Sequence, residues 1–282
     1  MISVEIFGIS ILAGILGAIL GIGGGAILIP ALTLGFGFHI RYAVGASIIS
    51  VLATSSGAAA SYVRERMTNI RVAIFLEIAT TLGALGGVGL STYLKSNVLY
   101  VIFGLVLLQS AYLMAKKSAT AAAPEGLPQG KTLVVEDAWA SRLRLSGSYP
   151  DGAERREVVY QVTRVPLGFF YMLLAGMLSG LLGIGSGILK VLAMDRAMGL
   201  PIKVSSATSN FMIGVTAAAS AGVYFLRGDV IPELAGPVAL GVLLGSTAGA
   251  RWMPLLPARQ IRRLFVVVIV GVAFQMILKG LR

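Results

Sequence analysis

Apolar segments follow one another along almost the whole chain, at about 3–21, 26–38, 41–63, 72–94 and 97–115, then at about 165–183, 188–200, 203–226, 231–250 and 260–278. Several are long enough to cross a ~30 Å hydrocarbon core, which takes ~20 residues of helix. Only 12% of the 282 residues are charged and 56% are hydrophobic, with a mean hydropathy of +0.87. A soluble domain carries about 25% charged residues. A chain this short of charge cannot clothe a water-facing surface, so lipid must be the solvent for much of it. The sequence therefore predicts an all-α polytopic membrane protein. Met1-Ile2-Ser3-Val4-Glu5 places no basic region ahead of the first apolar run, so this segment is expected to remain as a helix rather than to be cleaved as a signal peptide.

The chain is also written twice. Sliding it against itself by 162 residues without a gap lays Gly21-Ile22-Gly23-Gly24-Gly25 on Gly183-Ile184-Gly185-Ser186-Gly187, Ser47 on Ser209, Thr54 on Thr216 and Tyr62 on Tyr224. Between Ala13 and Tyr62, 15 of 50 positions are identical. Paired repeats are a hallmark of secondary transporters. The expected organisation is a first transmembrane repeat over 1–115, a linker over 116–164 and a second transmembrane repeat over 165–282.

The second segment of each half is too short to span alone. It could continue the first segment as one broken span, or return with it as a re-entrant hairpin. A return leaves three crossings per half and makes the repeats inverted. Setting Lys190 aside, the hairpin layout puts 17 Lys and Arg residues on one face and 5 on the other, whereas the continuous layout gives 14 and 8. Because cytoplasmic loops are enriched in Lys and Arg, the hairpin layout is favoured. It predicts a multi-pass protein of the inner (plasma) membrane with a cytoplasmic linker and both termini outside. Within the linker, 143–149 and 158–162 alternate around Pro150-Asp151-Gly152, so a small β-hairpin is expected there as a cover or contact surface.

Composition also narrows the chemistry. There is no cysteine and a single histidine, His39, so thiol chemistry and a multi-histidine metal site are excluded and no cofactor is expected. No paired carboxylates or metal-ligand cluster appears within a segment, which argues against an enzyme. The net charge of +11 lies in the breaks between apolar segments rather than in one stripe, so a nucleic-acid partner is not expected.

In hydrocarbon a broken helix is tolerated only where it is buried in protein or lines a watery cavity. The candidate breaks are Gly21, Gly23, Gly24 and Gly25, and Gly183, Gly185, Ser186 and Gly187. Glycine-rich breaks that open short helices from opposite sides would present backbone N–H groups to an anion near the membrane middle, although close helix packing is the competing account. Polar residues gather near the starts of the third segments: Ser47 and Thr54 in one half, Thr208, Ser209 and Asn210 in the other. Their hydroxyls and amides could hydrogen-bond an oxyanion, or join helices. Four ionisable residues are candidates for gating or coupling. Glu77 could carry a proton or sit at the headgroups, Lys190 could draw anions inward or snorkel, and the repeat mates Arg41 and Lys203 could rim the two mouths or anchor helix ends.

The GIGGG-x4-P element from Gly21 to Pro30, the G-x5-AVGAS run ending at Ser47, and the GLLGIGSG-x-LK and GLPIKVSSATSNF elements of the second half resemble the sulfite exporter TauE/SafE family. The resemblance implies proton-driven transport of sulfite or organosulfonates such as sulfoacetate, at the glycine, Ser, Thr and Asn positions given above. Ser186 and Leu192 depart from the first half's Gly24 and Pro30 and make the halves chemically unequal. A passive anion channel and a carrier of another small anion stay open, and a homodimer is compatible with the chain.

Overall fold

The computed structural model describes residues 2–91, 137–153, 155–182 and 187–281, with parts of 97–115. Helix α1 (Ile2–Leu20) is followed by a short α2 (Gly25–Pro30) that runs into a π-helical turn at Ala31–Gly35, then by α3 (Ile40–Arg64) and α4 (Ile70–Ser91). The linker contributes α5 (Ala138–Arg142), β1 (Gly147–Asp151) and β2 (Arg156–Tyr160). The second half contains α6 (Val165–Leu182), α7 (Gly187–Leu192) with a π-helical turn at Ala193–Ala197, α8 (Ile202–Leu226), α9 (Pro232–Trp252) and α10 (Ala258–Gly280). Adding 162 to the bounds of α2, its π-helical turn and α3 reproduces those of α7, its turn and α8. The π-helical turn recurs although Leu192 stands where the first half has Pro30, so the proline does not cause it.

Five described helices, α3, α4, α8, α9 and α10, are long and apolar enough to cross a membrane. Segment 97–115 is described only in part. On α4, Ile74, Ile78, Leu82 and Leu85 are exposed while Val72, Ala73, Leu76 and Ala79 are buried. An apolar stripe that faces outward at helical spacing suits a lipid boundary.

Helix α1 ends where Gly21 takes a left-handed φ of +70°, open to glycine at no steric penalty. The Gly21 and Ile22 amides donate back to the Ala18 and Gly17 carbonyls, at 3.3 and 3.1 Å, which closes the helix as a Schellman motif. The chain then reverses. Gly24 packs on the Ala13 carbonyl and Gly17 on the Gly24 backbone, whereas a continued helix would carry residue 24 about 16 Å past residue 13. The first two elements are thus a re-entrant hairpin.

Helix α1 packs most extensively on α9, and its repeat counterpart α6 on α4. Gly241, Gly245 and Gly249 rest on the main chain of Phe7, Ile11 and Ile15, and Gly83 and Gly87 on that of Leu173 and Met177. Each step of four on one helix matches four on the other, so both pairs run parallel, in the close approach that small residues allow. The orientation of the halves follows from contacts at the ends of α9. Gly45, near the start of α3, abuts Asp229 and Val230 just before α9, whereas Lys203, at the start of α8, bonds the Pro254 carbonyl just after it. Equivalent points lie at opposite ends of the bundle, so the repeats are inverted.

The linker hairpin forms with Gly152, Ala153 and Arg155 in its turn, not with the turn at Pro150-Asp151-Gly152 that local composition suggests. Pro150 and Asp151 belong to β1 and pair with Glu157 and Arg156. Alternation decides this. Tyr149 and Asp151 point inward, Pro150 points out, and Asp151 is held by Lys203. Burial pushes the Tyr160 hydroxyl pKa up, partly offset by the hydrogen bond it accepts from Asn69. Asp137 accepts from Trp139 N at 3.3 Å and Val165 N at 2.8 Å, which ties α5 to the start of α6.

Candidate functional site

The two re-entrant elements meet. Gly187, which opens α7, lies against Gly21 and Ile22 so closely that a β-carbon on it would sit 2.5 Å from the Gly21 carbonyl oxygen. The Ser209 hydroxyl is placed to donate to both, at 2.6 Å from the Gly21 carbonyl and 3.3 Å from that of Gly187. Gly183, Gly185 and Ser186 lie outside the described residues.

Around the first break, each candidate residue has a definite position. Gly21 and Gly23 have φ of +70° and +71°, and all of Gly21–Gly25 is buried. The Gly24 amide donates to Thr54 Oγ1 at 3.1 Å, and Thr54 donates to the Ser50 carbonyl at 2.8 Å. Gly25 packs on the Ser47 hydroxyl, which is fully buried and has no hydrogen-bond partner among the described residues. Ser206 donates to the Leu20 carbonyl at 3.2 Å. Asn210 Nδ2 donates to the Ala18 carbonyl at 2.6 Å, a carbonyl that also accepts from the Tyr62 hydroxyl at 2.9 Å. Asn210 Oδ1 is buried without a partner among the described residues. The Ser and Asn side chains of α8 thus cap the carbonyl end of α1, where helical carbonyls lose their own donors. Thr208 lies at the linker end and accepts from Asn69 N at 3.0 Å.

A second cluster sits one turn from the meeting point. Lys190, fully buried, donates from Nζ to Thr216 Oγ1 at 2.5 Å and to Glu77 Oε2 at 3.3 Å. Thr216 in turn donates to Glu77 Oε1 at 2.6 Å. The Glu77 side chain is 12% exposed. The Asn69–Thr208 and Glu77–Thr216 contacts both join α4 to α8, eight residues apart on each helix. The ion pair is therefore about 12 Å along the helices from Asn69. Isolated buried charges are costly, and pairing is what makes them tolerable. The repeat mates of Lys190 and Glu77 are Leu28 and Ala239, so the symmetry-related positions carry no such pair.

The repeat mates Arg41 and Lys203 part company. Arg41 is exposed, its amide bonded to His39 Nδ1 at 3.4 Å. Lys203 is buried, at 2.7 Å from Asp151 Oδ1 and 3.2 Å from the Pro254 carbonyl, beneath the linker hairpin. Sequence reasoning had no signal for Asp151 as its partner, nor for Asn69, which donates to the Leu145 carbonyl at 2.7 Å and to the Tyr160 hydroxyl at 2.9 Å.

An inverted pair of repeats with re-entrant hairpins meeting inside a helical bundle defines a polytopic membrane transporter. The chain belongs to the sulfite exporter TauE/SafE family, which it matches over residues 6–276. It is 25% identical over 281 residues to the "probable membrane transporter protein YunE" of Bacillus subtilis, covering 97% of this chain and 96% of that one. It is 24% identical over 272 residues to the "probable membrane transporter protein ORF9" of a Sinorhizobium species, with 96% and 91% covered. A further Bacillus subtilis protein, "probable membrane transporter protein YdhB", is 25% identical over 247 residues, with 87% and 88% covered. No solved structure matches the chain.

Proposed function

We propose that the protein is a secondary carrier that exports sulfite or organosulfonate anions such as sulfoacetate across the inner membrane, coupled to protons. The observation that carries this reading is the meeting of the two glycine breaks, Gly21 against Gly187. Beside it lie a buried Ser47 hydroxyl, unpartnered among the described residues, and the bridging Ser209, groups that can hydrogen-bond an oxyanion. The family name supports sulfite as the first substrate to try. The start of α1 at Ile2 and the end of α10 at Gly280 lie at the end of the bundle opposite the linker. The linker end carries exposed Arg64, Arg66, Arg71, Arg144, Arg156 and Arg164. The enrichment of Lys and Arg on the cytoplasmic side supports a cytoplasmic linker with both termini outside.

The test is flux in proteoliposomes loaded with unlabelled sulfite and presented with radiolabelled sulfite. A carrier gives saturable, counter-stimulated uptake that responds to an imposed pH gradient. Flux that follows voltage alone, with no counter-stimulation, would identify a channel instead.

A further inference from the structure

We infer that Lys190 is the cation on which the transported anion docks, and that Glu77 is its resident counter-anion, so that the anion loads only when Glu77 accepts a proton. This rests on the anion-carrier reading above and adds the residue that recognises charge and the residue that links it to the proton.

Position comes first. Lys190 is three residues beyond Gly187, about 4.5 Å along α7, and Gly187 is where the two re-entrant elements touch. Its ammonium is fully buried, and its bonds run to Thr216 and Glu77. The surroundings offer no other described acid within this cluster. Helix α4 presents Glu77, α8 presents Thr216, and the titratable side chain of α6, Tyr171, is exposed. Asp195 and Arg196 belong to the π-helical turn, five and six residues further on, and Lys203 is held by Asp151 at the linker end.

Charge accounting follows. With Glu77 ionised, the pair is neutral. An oxyanion arriving at Lys190 would then leave a net negative charge in a water-poor interior, which is strongly unfavourable. A proton on Glu77 removes that charge and frees one face of the ammonium. Thr216 is built for the exchange. It accepts from Lys190 while its single hydroxyl proton points at Glu77 Oε1, and rotation of that hydroxyl could serve an anion oxygen instead.

One proton thus travels with one anion, in the same direction. A dianion accompanied by one proton still carries one negative charge, which an inside-negative membrane drives outward. Export is therefore compatible with co-transport.

The test compares sulfite binding by the full-length protein and its E77Q variant across pH. Sulfite's own titration affects both and cancels in the comparison. Where Glu77 is ionised, wild-type affinity should strengthen by about tenfold more per pH unit of acidification than that of E77Q, the slope of one linked proton. E77Q, a mimic of the protonated state, should bind more tightly than wild type at alkaline pH and equally at acid pH. K190M should lose binding at every pH, and K190R should retain it. Equal pH slopes, or E77Q weaker than wild type at all pH values, would overturn the inference and leave the pair a structural tie. No sulfite binding by wild type at any pH would overturn the carrier reading as well.

Discussion

The buried Lys203 ammonium at the start of α8 is held 2.7 Å from the Asp151 carboxylate of the linker hairpin, so an element outside the repeats is pinned to one end of the bundle. Both partners are nearly inaccessible to water. Removing one leaves a buried charge without compensation, which costs about 3–5 kcal/mol. D151A should therefore loosen the hairpin and speed tryptic cleavage at Arg155 and Arg156, both exposed beside the turn. The D151A/K203M double variant should recover much of the wild-type resistance. Unchanged cleavage in D151A would show that the hairpin is held by its apolar contacts.

Gly187 has the Gly21 and Ile22 main chain where a side chain would go. Backbone cannot rotate aside as a side chain can, so G187A should destabilise the protein by the upper part of the 1–3 kcal/mol typical of overpacking. Gly86, with nothing within 4 Å of its virtual β-carbon, is the control. G86A should be neutral or gain up to about 1 kcal/mol from helix propensity. Thermal unfolding in detergent measures both, and equal melting temperatures for the two variants would mean that the breaks are not in contact.

The Ala18 carbonyl accepts from both Tyr62 and Asn210. Y62F and N210L should each cost about 1 kcal/mol, since one strong donor survives in each. Together they leave only the longer contact from the Gly21 amide. The double variant should therefore lose at least 0.5 kcal/mol more than the sum of the singles. An additive double-mutant cycle would separate the two roles.

Because the chain has no cysteine, single introduced cysteines report on sidedness directly. Ser148, in the hairpin, and Arg227, in the loop before α9, are exposed at opposite ends of the bundle. In intact cells an impermeant maleimide should label R227C and not S148C. Labelling of both from one side would be incompatible with inverted repeats.

Much of the architecture was legible because the offset of 162 residues carried helix bounds as well as residue identities. Gly21 and Gly23 announced a break because a left-handed backbone favours glycine, and the distribution of Lys and Arg then separated a hairpin from a continuous span. The site was less legible. Lys190 and Glu77 are 113 residues apart and come from opposite halves, and neither has a charged repeat mate to draw attention to the pair. Their proximity arises because α6 packs on α4 of the other half, which periodicity within either segment cannot reveal. Ser206, Ser209 and Asn210 read alike whether they face a ligand or a carbonyl, since the same donors serve both. Asp151 read as a turn residue because Pro-Asp-Gly favours turns locally, and only Lys203, 52 residues on, holds it in the strand.

Thr54 and Thr216 began as equivalents, yet one now braces the Gly24 amide while the other spans an ion pair. Were the halves identical, the forms open to each side of the membrane would be mirror arrangements of equal free energy, and the empty protein would visit both alike. A charge pair present at only one of the two symmetry-related places, Lys190 with Glu77 but not Leu28 with Ala239, lifts that degeneracy. The unloaded molecule has a preferred side on which to wait, and the direction of that bias is inherited from two side chains with no charged counterparts across the pseudo-twofold.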